Sequence, residues 1–137
     1  MYLIGFPLLI IPFAIYNMIA FLTPGLNWTD AITSVELMSG ATWTVTTEDV
    51  LVGLALILLP LEIFKAARIG NRSIVDHILS MALFVVMLLE FLMVRQAGTS
   101  TFFLLMMISV VDVLGGFIVT LRTAQRDFSV ERVETLS

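Results

Sequence analysis

Four apolar runs, each about as long as a lipid bilayer is thick, leave this chain few folds to choose from. A helix crossing a hydrocarbon core of about 30 Å needs about 20 mostly apolar residues. Residues 2–22, 50–67, 73–94 and 101–121 meet that requirement, and the first run contains no charged side chain. Between them lie the helix breakers Thr23-Pro24-Gly25, Ile69-Gly70-Asn71 and Gln96-Ala97-Gly98. The pattern predicts an all-α membrane protein: one integral-membrane domain over 1–137, built as a four-helix transmembrane bundle. An outer segment, 23–49, and a cytoplasmic tail, 122–137, complete it. Composition excludes the alternatives. Of the residues, 59% are hydrophobic and 13% charged, against about 25% charged in a soluble domain. Disorder needs the reverse balance.

The first run differs from a secretion signal, which wants a basic start, a shorter apolar core and a small-residue cleavage site. Met1-Tyr2-Leu3-Ile4-Gly5 has no Lys or Arg, so a retained first helix is expected. Pro7 and Pro12 are expected to bend it, each removing a backbone donor.

Basic residues set orientation, because cytoplasmic loops are enriched in Lys and Arg. The link between spans two and three holds Lys65, Arg68 and Arg72, and the tail holds Arg122, Arg126 and Arg132. The link between spans one and two has none and carries Asp30, Glu36, Glu48 and Asp49. Only Arg95 falls on the other side. Both termini are therefore expected in the cytoplasm.

Within the outer segment, Ser34-Val35-Glu36-Leu37-Met38 and Ala41-Thr42-Trp43-Thr44-Val45 flank Ser39-Gly40. Two short alternating runs around a Ser-Gly turn predict a β-hairpin. The plain reading lays that hairpin on the outer leaflet, with Trp28 and Trp43 at the membrane–water boundary. The sharper one makes it a recognition element for a partner protein, and nothing local separates the two. Asn27-Trp28-Thr29 matches a glycosylation acceptor, a pattern common by chance. Thr46-x-x-Asp49 reads as a cap opening the second helix.

Ionisable residues within the spans are the candidates for function, since burying one in lipid costs about 2.5–3.5 kcal/mol on insertion scales. They are Asp112, Glu90, Glu62, Asp76 and His77. At about 1.5 Å per residue, Asp112 falls near the bilayer midplane. Glu62, Asp76 and His77 share a level about one turn inside the cytoplasmic edge, and Glu90 lies near the outer side under Arg95. At about 100° per residue, Ser109, Asp112, Gly116, Thr120 and Thr123 form one stripe on span four. Ser73, Asp76, His77, Ser80 and Glu90 form a broader one on span three. Small and polar stripes allow close, hydrogen-bonded helix approach, so the two are expected to face each other.

Each candidate also has a structural reading. Asp76 completes a Ser73-x-x-Asp76 cap, Glu62 pairs with Lys65 or reaches the surface, and Glu90 pairs with Arg95 or interfacial water. His77 alone makes a poor metal ligand, and Glu62 and Asp76 at matching depth are meagre support. Pro60 should bend its end of the second helix. Asp112 has no basic residue within two turns and no capping role, which favours an interhelical or functional part. Ionising it at the midplane would be costly.

No catalytic spacing is present. One histidine and no cysteine exclude most triads, zinc sites, disulfides and thiol chemistry. Gly115-Gly116 makes no phosphate loop. A net charge of −4 with scattered basic residues offers no nucleic-acid footprint. Eight methionines read most simply as core filling. Catalytic, cofactor-binding and metal-ligating residues are therefore not expected, and the protein is read as a non-enzyme whose partners are the bilayer and other membrane proteins or itself.

The runs Leu61-Glu62-Ile63-Phe64-Lys65-Ala66-Ala67-Arg68, Ile74-Val75-Asp76-His77-Ile78-Leu79-Ser80 and Asp112-Val113-Leu114-Gly115-Gly116-Phe117 resemble small four-span inner-membrane proteins of alphaproteobacteria. That resemblance covers nearly the whole chain. It implies a bacterial inner-membrane setting and nothing about mechanism. Four-span multidrug exporters are similar in size but carry a membrane-embedded Glu in the first helix, where this chain offers only Asn17. Two functions from different classes are expected. The first is a non-enzymatic accessory or scaffold subunit. The alternative is a small homo-oligomeric proton-coupled transporter or channel using Asp112 with Glu90 or Glu62.

Overall fold

Where the backbone hydrogen bonds of each apolar run go decides where its helix starts. The computed structural model describes the backbone of residues 7–66 and 71–136, with side chains for 7–65, 74–119 and 121–122. Four helices carry it: α1 (Ile10–Leu22), α2 (Thr47–Ala66), α3 (Asn71–Met93) and α4 (Ser100–Leu136). A two-stranded sheet, β1 (Ala31–Glu36) with β2 (Thr42–Thr46), separates α1 from α2, and a 3-10 turn (Arg95–Ala97) separates α3 from α4.

Two of these helices are long and apolar enough to cross a membrane, over Ile74–Met93 and Ser100–Val119, with mean hydropathy 2.1 and 2.5. The other two expected spans do not reach that standard among the described residues. The helical part of α1 is 13 residues, about 20 Å at 1.5 Å per residue, and residues 2–6 of the expected span lie outside the described residues. Helix α2 has 20 residues but carries Glu48, Asp49 and Lys65 near its ends as well as Glu62. Helix α4 continues through the tail to Leu136.

Pro12 lies near the start of α1. It stands in the first turn, where the missing N–H has no partner to lose, and the Ile10 and Ile11 N–H groups donate instead to Pro7 and Leu8 carbonyls at 3.1 and 3.0 Å. At the other end, Thr23 donates to the Ile19 carbonyl through both its N–H (3.0 Å) and its hydroxyl (2.7 Å) before Pro24 stops the helix.

Helix α2 opens on the expected cap. The Thr46 N–H donates to Asp49 Oδ2 (3.1 Å) and the Asp49 N–H to Thr46 Oγ1 (3.2 Å), a reciprocal arrangement that satisfies two free donors. Because Thr46 also ends β2, the sheet runs into the helix without a linker. The strands pair antiparallel, with Val35 opposite Trp43 and Glu36 opposite Thr42, and a bulge falls between Ala31 and Thr33. The turn closes through Leu37 N–H to Ala41 O (2.8 Å) and Gly40 N–H to Leu37 O (3.0 Å). Gly40 takes φ +91°, the left-handed position that a three-residue hairpin loop reserves for glycine.

The core joins Tyr16 and Trp28 to Leu51 and Ala55 of α2, Leu83 and Met87 of α3, and Phe102 and Leu105 of α4. Helix α4 lies between α2 and α3. A Cβ added at Gly115 would sit 3.2 Å from Ile63 Cδ1, so the absence of a side chain there lets α4 approach α2 closely. The exterior is apolar: Ile57, Phe64, Ile78, Leu92 and Leu114 are all exposed. A surface that apolar marks contact with lipid or another protein. Methionine is not confined to the core, since Met87 and Met106 are buried while Met18, Met81, Met93 and Met107 face outward.

Candidate functional site

Polar groups collect at two levels of the bundle. At the inner level Glu62, on the last turns of α2, is 4% exposed. Its Oε1 accepts the Leu8 N–H at the start of α1 and a bond from Lys65 Nζ at 3.0 Å. A carboxylate at a helix N-terminus satisfies a free donor and meets the positive end of the dipole. Glu62 therefore ties α1 to α2, in addition to the pairing with Lys65 that the spacing predicts.

Asp112 is 4% exposed. Ser80 of α3 hydrogen-bonds its carboxyl, and Glu62 and Lys65 act on it electrostatically from α2. This acid without a nearby cation in sequence thus sits among groups from two other helices. Ser109, one turn earlier on α4, is 1% exposed, and its hydroxyl has no partner among the described residues. Substituting Asp112 should separate bonding from charge. Asp112→Asn keeps donor and acceptor capacity toward Ser80 and should melt within about 1 kcal/mol of wild type. Asp112→Leu removes the bond and should cost about 1–2 kcal/mol in detergent melts.

Asp76 does not cap α3. The helix starts at Asn71, before Ser73, and both Asp76 carboxylate oxygens are buried with no hydrogen-bond partner among the described residues. The Ser73 side chain lies outside the described residues. His77 packs its ring against Phe117, with centroids 5.9 Å apart. Among the described residues no group of three or more His, Asp or Glu is placed to hold a metal ion. The stripes on α3 and α4 meet through Ser80 with Asp112, and the two helices also touch through His77 and Phe117, which lies beside the α4 stripe. The side chains of Thr120 and Thr123 lie outside the described residues.

The outer level is organised by Tyr16, which the sequence reading passed over. Its side chain is fully buried. The phenol donates to the Gln96 carbonyl (2.8 Å) and meets Thr99 Oγ1 at 2.7 Å. Its ring stacks on Trp28 (4.6 Å, 5°) and meets Phe102 edge-on (5.0 Å). Trp28 is thus packed into the protein against Tyr16. A single Tyr amid aliphatic residues was the available signal, because a buried phenol needs a partner.

Glu90 does not pair with Arg95. Asn17 of α1 lies near it, but the Asn17 amide donates to the Phe13 carbonyl (3.1 Å) and Glu90 Oε2 is buried with no hydrogen-bond partner among the described residues. The Arg95 side chain is exposed and makes no hydrogen bond or ion pair among the described residues, while the Arg95 carbonyl accepts the Gly98 N–H (3.2 Å). Asn27 bonds locally, its side-chain oxygen accepting from Thr29 Oγ1 at 3.2 Å.

Comparisons with protein-family models, with curated proteins and with solved structures give no match to this chain.

Proposed function

We propose that this chain is a four-span protein of a bacterial inner membrane with both termini cytoplasmic. Its role is that of a non-enzymatic accessory subunit docking against other membrane proteins through the outer hairpin. The observation that carries this reading is the exposure of both hairpin faces. All of β1 is exposed, and only the last two residues of β2 are partly covered. An isolated two-stranded hairpin is marginal in water. This one also presents Val35, Leu37 and Trp43 on one side and the fully exposed Met38 at its tip. A partner laid on that side would supply the missing layer.

The crossing of all four helices is supported by the reach of α1. It extends from Glu62 near the inner end of α2 to Gln96 and Thr99 at the start of α4. The accessory role is supported by the engagement of two intramembrane acids. Glu62 meets Leu8 at the entry to α1 and Asp112 meets Ser80 of α3, which makes these two ties between helices. One observation favours the alternative, a small homo-oligomeric proton-coupled transporter. The buried carboxylate of Asp76 and Oε2 of Glu90 have no hydrogen-bond partner among the described residues.

The test is affinity purification from native membranes in mild detergent, followed by native mass measurement. Wild type should emerge in a complex larger than its own oligomer, and Val35→Ser/Trp43→Ser should emerge without it. A homo-oligomer of the same mass for both proteins would overturn the accessory role in favour of transport.

A further inference from the structure

At the outer end of the bundle the last turn of α1, the chain after it and the 3-10 turn enclose a cavity of about 320 Å³. That size lies within the range of small-ligand pockets, about 300–1,000 Å³. The lining mixes polar groups, Arg95, Gln96 and Asn27, with apolar ones, Ile19, Ala20 and Leu26. Trp28, held by its stack on Tyr16, joins the lining. The Tyr16 bonds to Gln96 and Thr99 hold α1 and the 3-10 turn in fixed relation.

The guanidinium of Arg95 is the chemical centre of this cavity. It is the one basic side chain between the third and fourth apolar runs, and the outer segment beside it carries four acids. None of them neutralises it. Asp30 accepts the Asn27 N–H (3.1 Å) and Asp49 the Thr46 N–H. A guanidinium in a pocket with amide groups suits an oxyanion, and its planar fork matches phosphate with two parallel bonds. Leu26 of the lining is itself exposed, and Phe21 and Leu22, which stand between the lining residues Ala20 and Thr23 in the chain, are exposed too, so apolar surface adjoins the pocket for a ligand's alkyl chain.

We propose that this cavity binds a phosphate-ester headgroup attached to an alkyl chain. Arg95 takes the phosphate, Asn27 and Gln96 lend hydrogen bonds, and Ile19, Ala20 and Leu26 take the chain. In the membrane-spanning reading, on which this rests, the cavity lies at the outer boundary, where phospholipid phosphates are found. It does not depend on the docking role of the hairpin, whose loss would change co-purification and leave this site intact.

The experiment places the full chain in nanodiscs of phosphatidylcholine with about one quarter phosphatidylglycerol, then counts retained lipids by native mass spectrometry. Wild type should hold one more phosphatidylglycerol per chain than Arg95→Gln. Arg95→Lys, which keeps the charge and loses the fork, should fall between them. Because the Arg95 side chain is exposed and unpaired among the described residues, matched thermal melts should show all three folded. Short-chain phosphatidylglycerol should displace the retained lipid at least about tenfold more effectively than inorganic phosphate, a ratio that burial of a few CH₂ groups supplies. Equal retention by wild type and Arg95→Gln would overturn the site. Displacement by inorganic phosphate at equal concentration would overturn the alkyl half and leave a soluble phosphate as the ligand.

Discussion

Replacing Tyr16 with alanine should lower stability by about 3–5 kcal/mol, the usual cost of emptying a fully buried aromatic position. Three contacts disappear together: the stack on Trp28, the edge contact with Phe102, and the hydroxyl's bonds to Gln96 and Thr99. Tyr16→Phe keeps both ring contacts and removes only the bonds, so it should cost about 1 kcal/mol. Fluorescence offers a second readout. Of the two tryptophans, Trp28 is 9% exposed and Trp43 48%. Red-shifted emission is therefore expected for Tyr16→Ala and unchanged emission for Tyr16→Phe. Equal melting of Tyr16→Ala and wild type would remove Tyr16 as the anchor of the outer level.

Glu62→Ala should be nearly as damaging, at about 3 kcal/mol, because it strips an acceptor from two buried or half-buried donors at once. The Leu8 N–H loses its carboxylate, and the Lys65 ammonium loses an ion pair whose side chains are 12% and 2% exposed. The estimate sits at the low end of the usual range because a lysine stem can carry its charge toward water. Glu62→Gln keeps an oxygen for Leu8 and gives up the charge, so it should recover roughly half of that loss. Adding Lys65→Met to Glu62→Ala should recover part of it too, as expected when one change leaves a cation exposed to an apolar interior. The measurement is thermal melting of wild type, Glu62→Ala, Glu62→Gln, Lys65→Met and the double variant in one detergent. Additive effects of Glu62→Ala and Lys65→Met would show that the two side chains are not coupled.

Helix positions in this chain follow from periods that need no knowledge of neighbours. A run of apolar residues ending at Pro24, or an alternation interrupted by Ser39-Gly40, carries its own local signal. The reciprocal cap of Thr46 and Asp49 spans three residues, and its geometry matches the expectation. Helix ends were less legible. The start of α1 depends on where the Pro7 and Leu8 carbonyls find donors. The start of α3 at Asn71 displaced the cap proposed for Asp76. The tail gave no sign that α4 continues through it, since its charges resemble those of a solvated segment.

The candidate groups were visible as charges in apolar runs, but their partners were not. Glu62 meets Leu8 across 54 positions and Tyr16 meets Thr99 across 83. Asp112 with Ser80 is a pairing of the same kind. Spacing along one helix reports only which side chains share a face; it is silent on which helix that face meets. The sequence by itself therefore determined the apolar segments, the breakers between them and the hairpin turn, because each rests on neighbouring residues. Only the tertiary structure decided that Glu62 serves the start of α1, that Arg95 stands apart from Glu90, and that a cavity opens beneath it. Those outcomes depend on how the helices pack, and packing energies are summed over residues that sequence order keeps far apart.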